Sequence, residues 1–199
     1  MLLNIVLVIF AYLCGSVSSA VVICKIMRLD DPRFHGSNNP GTTNVLRLHG
    51  KKAAILTLAG DMLKGLFPLL LAHAFNAPEL IIALSAIAAF CGHLFPVFFG
   101  FRGGKGVATL TGVLFGINWA FGLAFVLIWL AIAGLFRYSS LAGLVAAASA
   151  PFFAALLHPS PYYIASISCM TIILFWRHRS NIKNLIAGKE DKFGMEKSS

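Results

Sequence analysis

Apolar segments alternate with short polar connections along this chain, and that alternation predicts a bundle of membrane-spanning helices. A membrane helix needs roughly 20 apolar residues, a length that most of the segments approach. The predicted spans are Leu2–Cys24, Ala53–Phe75, Leu80–Phe99, Val107–Ile117, Trp119–Phe136, Leu141–Leu157 and Tyr162–Trp176. The fourth is short for a full crossing, so a kinked or half-crossing element is the alternative. We therefore expect an all-α polytopic integral membrane protein with one membrane-embedded domain over residues 1–199.

Composition agrees with this pattern. Of the 199 residues, 58% are hydrophobic and only 12% are charged, and the mean hydropathy is +0.83, which is too apolar for a soluble domain. The net charge is +9. Basic charge can indicate nucleic-acid binding, but no basic stripe is interleaved with exposed aromatic residues here. The positive-inside rule, which places Lys and Arg in cytoplasmic loops, explains the charge better.

The same rule orients the predicted bundle. With seven spans and a periplasmic N-terminus, every Lys and Arg except Lys64 falls in a cytoplasmic region: the loops 25–52, 100–106 and 137–140, or the basic tail 177–199. The polar clusters then share one face and can form one site. No Lys or Arg precedes Lys25, so we expect the first segment to be a retained span rather than a cleaved signal peptide.

The longest polar run lies between the first two spans, from Gly36 to Arg47. Its two glycines and Pro40 prevent a regular helix through its first half. Its second half contains an amphipathic helix candidate, Asn44 to His49. Hydroxyl and amide side chains provide many short hydrogen-bonding groups, and the planar cation of Arg47 suits a phosphate. We expect this loop to bind a phosphorylated substrate at the membrane surface.

A glycine-rich loop, Gly103-Gly104-Lys105-Gly106, follows the third span. It is not a nucleotide P-loop, because Phe99 stands where the first glycine of that motif belongs and Gly106 where its Ser or Thr belongs. Glycines still allow backbone N–H groups to approach an anion, and a helix beginning at Val107 would point its N-terminus there. A flexible turn with a positive-inside lysine is the alternative.

Asp61, Lys64 and His93 lie inside predicted spans. Asp61 and Lys64 are three apart on one helix face, where charges are costly unless they are paired or near water. A mutual ion pair that fixes helix packing is one interpretation, and a place beneath the substrate pocket is the other. His93 is expected to serve helix packing or to form a pocket wall, while His178, at the cytoplasmic mouth, is the better candidate for chemistry.

Covalent, metal and cofactor chemistry are not indicated. The sequence has no Gly-x-Ser-x-Gly elbow, no acyltransferase-type His-x4-Asp and no Cys pair with metal-ligand spacing. We expect neither a metal nor a cofactor. An enzyme built from these residues would depend on positioning and electrostatic stabilisation.

Three motifs, taken together and in order, resemble those of the acyl-phosphate–glycerol-3-phosphate acyltransferase (PlsY) family. They are Gly36-Ser37 with Asn39 to Arg47, Gly103 to Thr109, and His178 to Ile182 with Gly188 and Glu190. The resemblance covers nearly the whole chain. Thr42 stands where the family often has Ala, a departure that we expect to be without consequence.

The resemblance implies a seven-span enzyme of the bacterial cytoplasmic membrane. It would transfer a fatty acyl group from acyl phosphate to the 1-hydroxyl of glycerol 3-phosphate, the first step of phospholipid synthesis. The implied partners are these two substrates and membrane lipid, with no nucleic acid, and we expect a monomer. The expected catalytic residues are Ser37, Arg47, Lys105 and His178. The expected substrate-binding residues are Asn39, Gly41, Thr43, Asn44, Gly103, Gly104, Gly106, Thr109, Ser140, Asn181 and Glu190.

Our mechanistic hypothesis is direct attack of the glycerol hydroxyl on the acyl phosphate, without a covalent acyl-enzyme. The glycine loop with Lys105 would hold a phosphate, Arg47 and His178 would hold glycerol phosphate, and Arg102 and Arg137 would add positive charge. The proton would pass to a donor phosphate oxygen or to His178. Asn181 and Glu190 would alternatively brace the tail over the site.

Other classes of protein fit less well. A transporter of organic phosphates would place its polar site at the bilayer midplane and is built from repeats, whereas the polar residues here cluster on one face and no inverted repeat is visible. A structural or lipid-binding protein would leave the three motifs without a purpose. A phospho-alcohol transferase would need an aspartate-rich metal site, and the loops offer only Asp30-Asp31.

Overall fold

The computed structural model describes residues 1–192, so the last seven positions of the predicted tail lie outside it. Over these residues the regular elements are helices. They are α1 (Leu2–Gly15), α2 (Ser19–Ile26), α3 (Thr42–Ala74), α4 (Glu79–Leu94), a 3-10 turn (Val97–Phe99), α5 (Val107–Ile117), α6 (Trp119–Phe136), α7 (Ser139–Leu157), α8 (Pro161–Arg177) and α9 (Arg179–Ile186). All seven predicted spans therefore correspond to helices.

The first predicted span is broken. Helices α1 and α2 meet at an angle of 49°, at the Ser16–Ser18 segment that interrupts the apolar run. Small residues at this break allow close helix packing. A Cβ atom on Gly15 would overlap the backbone oxygen of Ala89 in α4, so only glycine allows the two backbones to approach so closely.

The second half of the first polar run and the second span form one long element, α3. Gly50 interrupts it with non-helical angles (φ 80°, ψ −175°), a conformation that glycine adopts at little cost. The helical segment before Gly50 includes the Asn44–His49 candidate, and the segment after it is the membrane span. Arg47 and the end of the polar run are thereby attached to the start of a membrane helix.

The short helix α5 lies at the centre of the bundle. Most of its residues are buried, and it packs against α3, α4 and α6. The contact with α3 depends on glycines: a Cβ on Gly112 would meet the backbone oxygen of Met62, and one on Gly65 would meet that of Thr109. These close backbone contacts fix the glycine loop, which immediately precedes α5.

Within residues 1–192, four helices are long and apolar enough to cross a membrane on their own, namely α3, α4 with its 3-10 extension, α6 and α7, and the bent α1–α2 pair would be a fifth. Helices α5 and α8 are shorter. The protein is thus an all-helical, multi-pass membrane protein, while the number of seven crossings stays a prediction.

Helix α9 was not anticipated, because the sequence after Arg177 was interpreted only as a basic, soluble tail. It directly follows α8, with His178 at the junction. Its apolar residues Ile182 and Leu185 pack against the hydrophobic core, and its basic residues lie on the other face. This amphipathic packing holds the tail against the bundle.

The α3–α5 contact can be tested with two glycine substitutions. Gly112→Ala should lower the free energy of unfolding by roughly 1–3 kcal/mol, because the added methyl group is forced into backbone atoms. Gly134→Ala in α6 is the control, since a Cβ there meets nothing within 4 Å. Thermal unfolding in detergent measures both, and equal melting temperatures for the two variants would contradict the close contact.

Candidate active site

Asn44 organises the first polar loop. It is buried at the start of α3, where its side-chain oxygen accepts the backbone N–H of Ser37 at 2.9 Å. Its amide nitrogen donates to the backbone oxygens of Pro32 and His35, each at 3.0 Å. Gly36 has a positive φ of 63°, and a Cβ there would collide with the Asn44 side chain. The structure thus uses Asn44 to brace the loop, whereas its predicted substrate contact stays a prediction.

The bracing leaves other groups of the loop accessible. The Ser37 side chain is exposed beside its tethered backbone. Arg47 lies about one turn further along α3 and is 3.3 Å from the Asp191 carboxylate, with 39% of its side chain exposed. An exposed ion pair of this kind is weak, so Arg47 can exchange Asp191 for an anionic ligand at little cost.

The glycine loop is held through its carbonyl groups. The Arg177 guanidinium donates to the backbone oxygens of Gly103 and Gly104, both at 2.9 Å from Nη2. Gly106 has a φ of 94° and lies against the Phe90 ring, where no Cβ would fit. Helix α5 begins at the next residue. Arg177 occupies the carbonyls of Gly103 and Gly104, and the Gly104 N–H donates to the His93 backbone oxygen. The other N–H groups of the loop and the positive end of α5 are therefore the parts suited to an anion.

Lys105 joins the second motif to the third motif and to Ser140 through one hydrogen-bond network. Its Nζ atom donates to the side-chain oxygen of Asn181 in α9. The Asn181 amide nitrogen donates to Glu190 Oε1 at 2.6 Å, and the hydroxyl of Ser140 in α7 donates to the same oxygen at 2.6 Å. Four residues predicted from separate parts of the sequence therefore meet at one point.

The electrostatics of this cluster favour an anion. Burial lowers the pKa of Lys105 below its ordinary value; Glu190 opposes that shift, while Arg177 and Arg47 add to it by repulsion. Loss of solvation and repulsion by nearby positive charges thus destabilise the charged form of Lys105. A bound phosphate would relieve both effects.

His178 occupies the junction between α8 and α9 and is only 3% exposed. Its Nδ1 atom is 2.9 Å from the backbone oxygen of Leu174, an acceptor that fixes the proton on Nδ1 and leaves a lone pair on Nε2. Burial lowers the His178 pKa to about 4, with Lys105 and Arg177 acting in the same direction. The imidazole is therefore neutral at physiological pH.

The other predicted residues lie around or away from this cluster. The Thr43 hydroxyl is 3.1 Å from that of Ser139, which ties α3 to α7, and the Asn39 backbone oxygen accepts the N–H of Gly41. Thr109 is fully buried in α5, and its hydroxyl has no partner within the described part of the chain. Arg102 and Arg137 are exposed. The roles proposed for these residues stay predictions.

Sequence reasoning missed two contributors. Arg177 was counted only as part of the basic tail, although it holds the glycine loop, and Ser139 was not singled out. The roles of Arg177 and Ser139 both depend on tertiary contacts that α3, α7 and α8 make with each other and with the loops. An arginine at the end of a span is also what the positive-inside rule predicts, so the sequence contained no distinguishing signal.

Comparison with known proteins gives a consistent result. The family model described as glycerol-3-phosphate acyltransferase matches residues 5–188. A glycerol-3-phosphate acyltransferase of Thioalkalivibrio sulfidiphilus is 52% identical over 194 residues, covering 98% of this chain and 96% of the relative. One of Burkholderia cenocepacia is 54% identical over 192 residues, covering 95% of this chain and 90% of the relative.

Two crystal structures of PlsY (YgiH), described as an integral membrane glycerol 3-phosphate acyltransferase, have the same fold. The glycerol 3-phosphate form superposes with a TM-score of 0.91 and 40% identity, covering 96% of each chain. The lysophosphatidic acid form gives a TM-score of 0.89 with the same identity. By sequence over nearly its whole length, and by fold, this chain belongs to the glycerol-3-phosphate acyltransferase family.

Proposed function

We propose that this protein transfers a fatty acyl group from an acyl phosphate to the 1-hydroxyl of glycerol 3-phosphate, giving lysophosphatidic acid and inorganic phosphate. The observation that carries the proposal is the network of Lys105, Asn181, Glu190 and Ser140. It brings the second and third motifs together beside the glycine loop. Family membership supplies the reaction class, and the site supplies groups that suit phosphate.

Two phosphate-bearing substrates need a strongly positive site. Together they carry about four negative charges near neutral pH, since the second phosphate pKa is about 6. Lys105 and Arg47 supply the positive charge, and the glycine-loop N–H groups add donors. A substrate phosphate can then pair with the Lys105 ammonium group, whose charged form is poorly solvated. The free energy gained from this pairing offsets the repulsion between the two phosphates.

The reaction then needs no covalent enzyme intermediate, because an acyl phosphate is a mixed anhydride with a good leaving group. The 1-hydroxyl oxygen attacks the acyl carbonyl carbon, a new C–O ester bond forms, and the bond from that carbon to the phosphate oxygen breaks. Ser37, Asn39, Thr43 and Ser140 orient the reacting groups. The carboxylate of Glu190 keeps Asn181, and through it Lys105, at the phosphate.

The proton goes to the departing phosphate rather than to His178. A neutral imidazole with a pKa of about 4 is a weaker base than a phosphate oxygen whose pKa is about 6. The His178 Nε2 lone pair can still accept a hydrogen bond from the attacking hydroxyl. His178 thereby aligns the hydroxyl, and the donor itself removes the proton.

We further propose seven crossings in one membrane-embedded unit, with the N-terminus periplasmic and the motifs at the cytoplasmic face of a bacterial inner membrane. The distribution of Lys and Arg supports this orientation. Helix α5 would then cross as a short central element, shielded from lipid by its neighbours. We expect the enzyme to act as a monomer, because the residues of the proposed site come from one chain.

The donor is tested by an acyl-transfer assay on purified protein in lipid. With glycerol 3-phosphate, palmitoyl phosphate should yield lysophosphatidic acid and free phosphate, whereas palmitoyl-CoA should not. Lys105→Ala should reduce kcat/KM by about a hundredfold or more, as expected for loss of a buried charge-assisted contact. Lys183→Ala, at an exposed position of α9, is the control. Product from neither donor, with folded protein, would refute the proposal.

The carboxylate network is tested by Glu190→Gln. The amide is a weaker acceptor for Ser140 and Asn181, and hydrogen bonds to charged groups contribute about 1.5–3 kcal/mol, so kcat/KM should fall roughly tenfold. Glu79→Gln is a matched control, because Glu79 accepts a Ser160 hydroxyl at the same 2.6 Å distance. Glu79 lines a cavity of about 410 Å³ at the opposite end of the bundle. Equal kcat/KM values for the two variants would contradict the proposed role of Glu190 in the site.

The neutral state of His178 predicts a particular pH profile. A histidine with an ordinary pKa of about 6.5 would lose its lone pair to a proton as the pH falls through that value. His178 keeps it until the pH approaches about 4. The ratio of kcat/KM between the unaltered protein and His178→Gln should therefore be constant from roughly pH 5.5 to 8. Taking the ratio cancels the titration of the substrates. A tenfold rise of this ratio from roughly pH 5.5 to 8 would contradict the neutral state of His178.

A further inference from the structure

Asp61, Lys64 and His93 are three ionisable side chains that the mechanism does not use and that are buried within the bundle. Asp61 is 2% exposed, Lys64 9% and His93 6%. Asp61 and Lys64 lie on α3 after its Gly50 break, and His93 lies near the end of α4. Ionisable groups at such positions in a membrane protein are expensive, and they commonly have a function with an identifiable partner.

Lys64 connects Asp61 to the break in the first span. Its Nζ atom is 2.8 Å from Asp61 Oδ1, and it also donates to the backbone oxygen of Val17 at 2.8 Å. Val17 lies between α1 and α2, where the helical hydrogen-bond pattern is interrupted. The ion pair expected from the sequence is present, and it is anchored to a second element.

His93 lies between this ion pair and the glycine loop. Its Nδ1 atom is 3.7 Å from Asp61 Oδ1, which is longer than a hydrogen bond, so the Asp61 carboxylate acts on the ring through its charge. On the other side, the His93 backbone oxygen accepts the N–H of Gly104 at 3.2 Å. A Cβ on Gly104 would collide with His93 Nε2, and one on Gly103 would collide with the His93 backbone oxygen. The loop therefore rests directly on this histidine, with both glycines required by the contact.

The two sides of the loop are thus held by different groups. Arg177 binds the carbonyls of Gly103 and Gly104, while His93 contacts the backbone of both glycines. A turn of the imidazole would displace Gly104, and Lys105 is the next residue. By orienting the His93 ring, Asp61 therefore also affects the position of the Lys105 ammonium group.

We propose that Asp61, Lys64 and His93 form a buried positioning unit that fixes the backbone of the glycine loop and thereby the phosphate subsite at Lys105. Lys64 holds the Asp61 carboxylate in place, Asp61 orients the His93 ring, and the ring supports Gly104. None of the three touches the reacting atoms. The inference rests on the proposed function only in taking the glycine loop to be a phosphate subsite.

The first test is His93→Gln, which removes the ring and keeps a polar side chain. It should raise the apparent Kd for inorganic phosphate, measured as the phosphate-dependent rise in melting temperature, by about tenfold. It should also lower kcat/KM for acyl transfer by roughly ten- to a hundredfold, since small misplacements of a binding group have effects of this size. Ser85→Ala is the matched control, as Ser85 is a fully buried polar residue on the same helix, about two turns from His93.

The second test separates positioning from helix packing. Asp61→Leu combined with Lys64→Met removes both charges and largely preserves side-chain volume, so the double variant should fold. If the ion pair served packing alone, the double variant would have unaltered activity and phosphate affinity. Under our proposal both fall as in His93→Gln, and adding His93→Gln causes little further loss, because the residues act as one unit.

The outcomes distinguish this proposal from the reaction itself. Unaltered phosphate affinity and kcat/KM in folded His93→Gln would overturn the positioning unit and leave the reaction standing. An unaltered protein that forms no lysophosphatidic acid, yet binds phosphate in a His93-dependent way, would refute the reaction and keep the unit. If His93→Gln fails to fold, the double variant decides.

Discussion

The site depends on how the glycine loop satisfies its backbone at the edge of the membrane. Backbone carbonyls buried away from water must find donors, and in a loop without regular structure those donors must come from side chains. Arg177 supplies them for Gly103 and Gly104. With these carbonyls occupied and the Gly104 N–H bonded to His93, the loop can offer its remaining N–H groups and the start of α5 to the proposed phosphate.

The same region brings together residues of the second and third motifs, which are far apart in sequence. The glycine loop supplies Lys105, α9 supplies Asn181, and the segment after α9 supplies Glu190. Their network encloses a lysine whose pKa is lowered by burial. A site of this kind is unfavourable when empty and favourable when filled by phosphate, which is how preorganised electrostatic stabilisation operates. Positioning and charge then suffice for a reaction whose donor is already activated.

The helices and the motif residues could largely be predicted from the sequence, because hydropathy and glycine patterns are local signals. Residues such as Lys105, Asn181 and Glu190 could be identified by resemblance, but their network could not be derived. The bracing role of Asn44 and the clamp by Arg177 depend on where the chain folds back, and no short-range pattern encodes that. Helix α9 was missed for a related reason, since its apolar residues matter only when the core lies beneath them.

The position of α5 links the packing of the bundle to the chemistry of the site. This helix begins where the glycine loop ends, so any shift of α5 moves the loop and Lys105 with it. The contact that holds it is between backbones, through Gly112 on α5 and Gly65 on α3. Gly65 directly follows Lys64, whose ion pair with Asp61 leads to His93 under Gly104. One segment of α3 therefore fixes the loop twice, by supporting its helix from behind and its glycines from below. A glycine loop so constrained would keep the proposed phosphate subsite at Lys105 in place, which a mobile glycine-rich turn could not do.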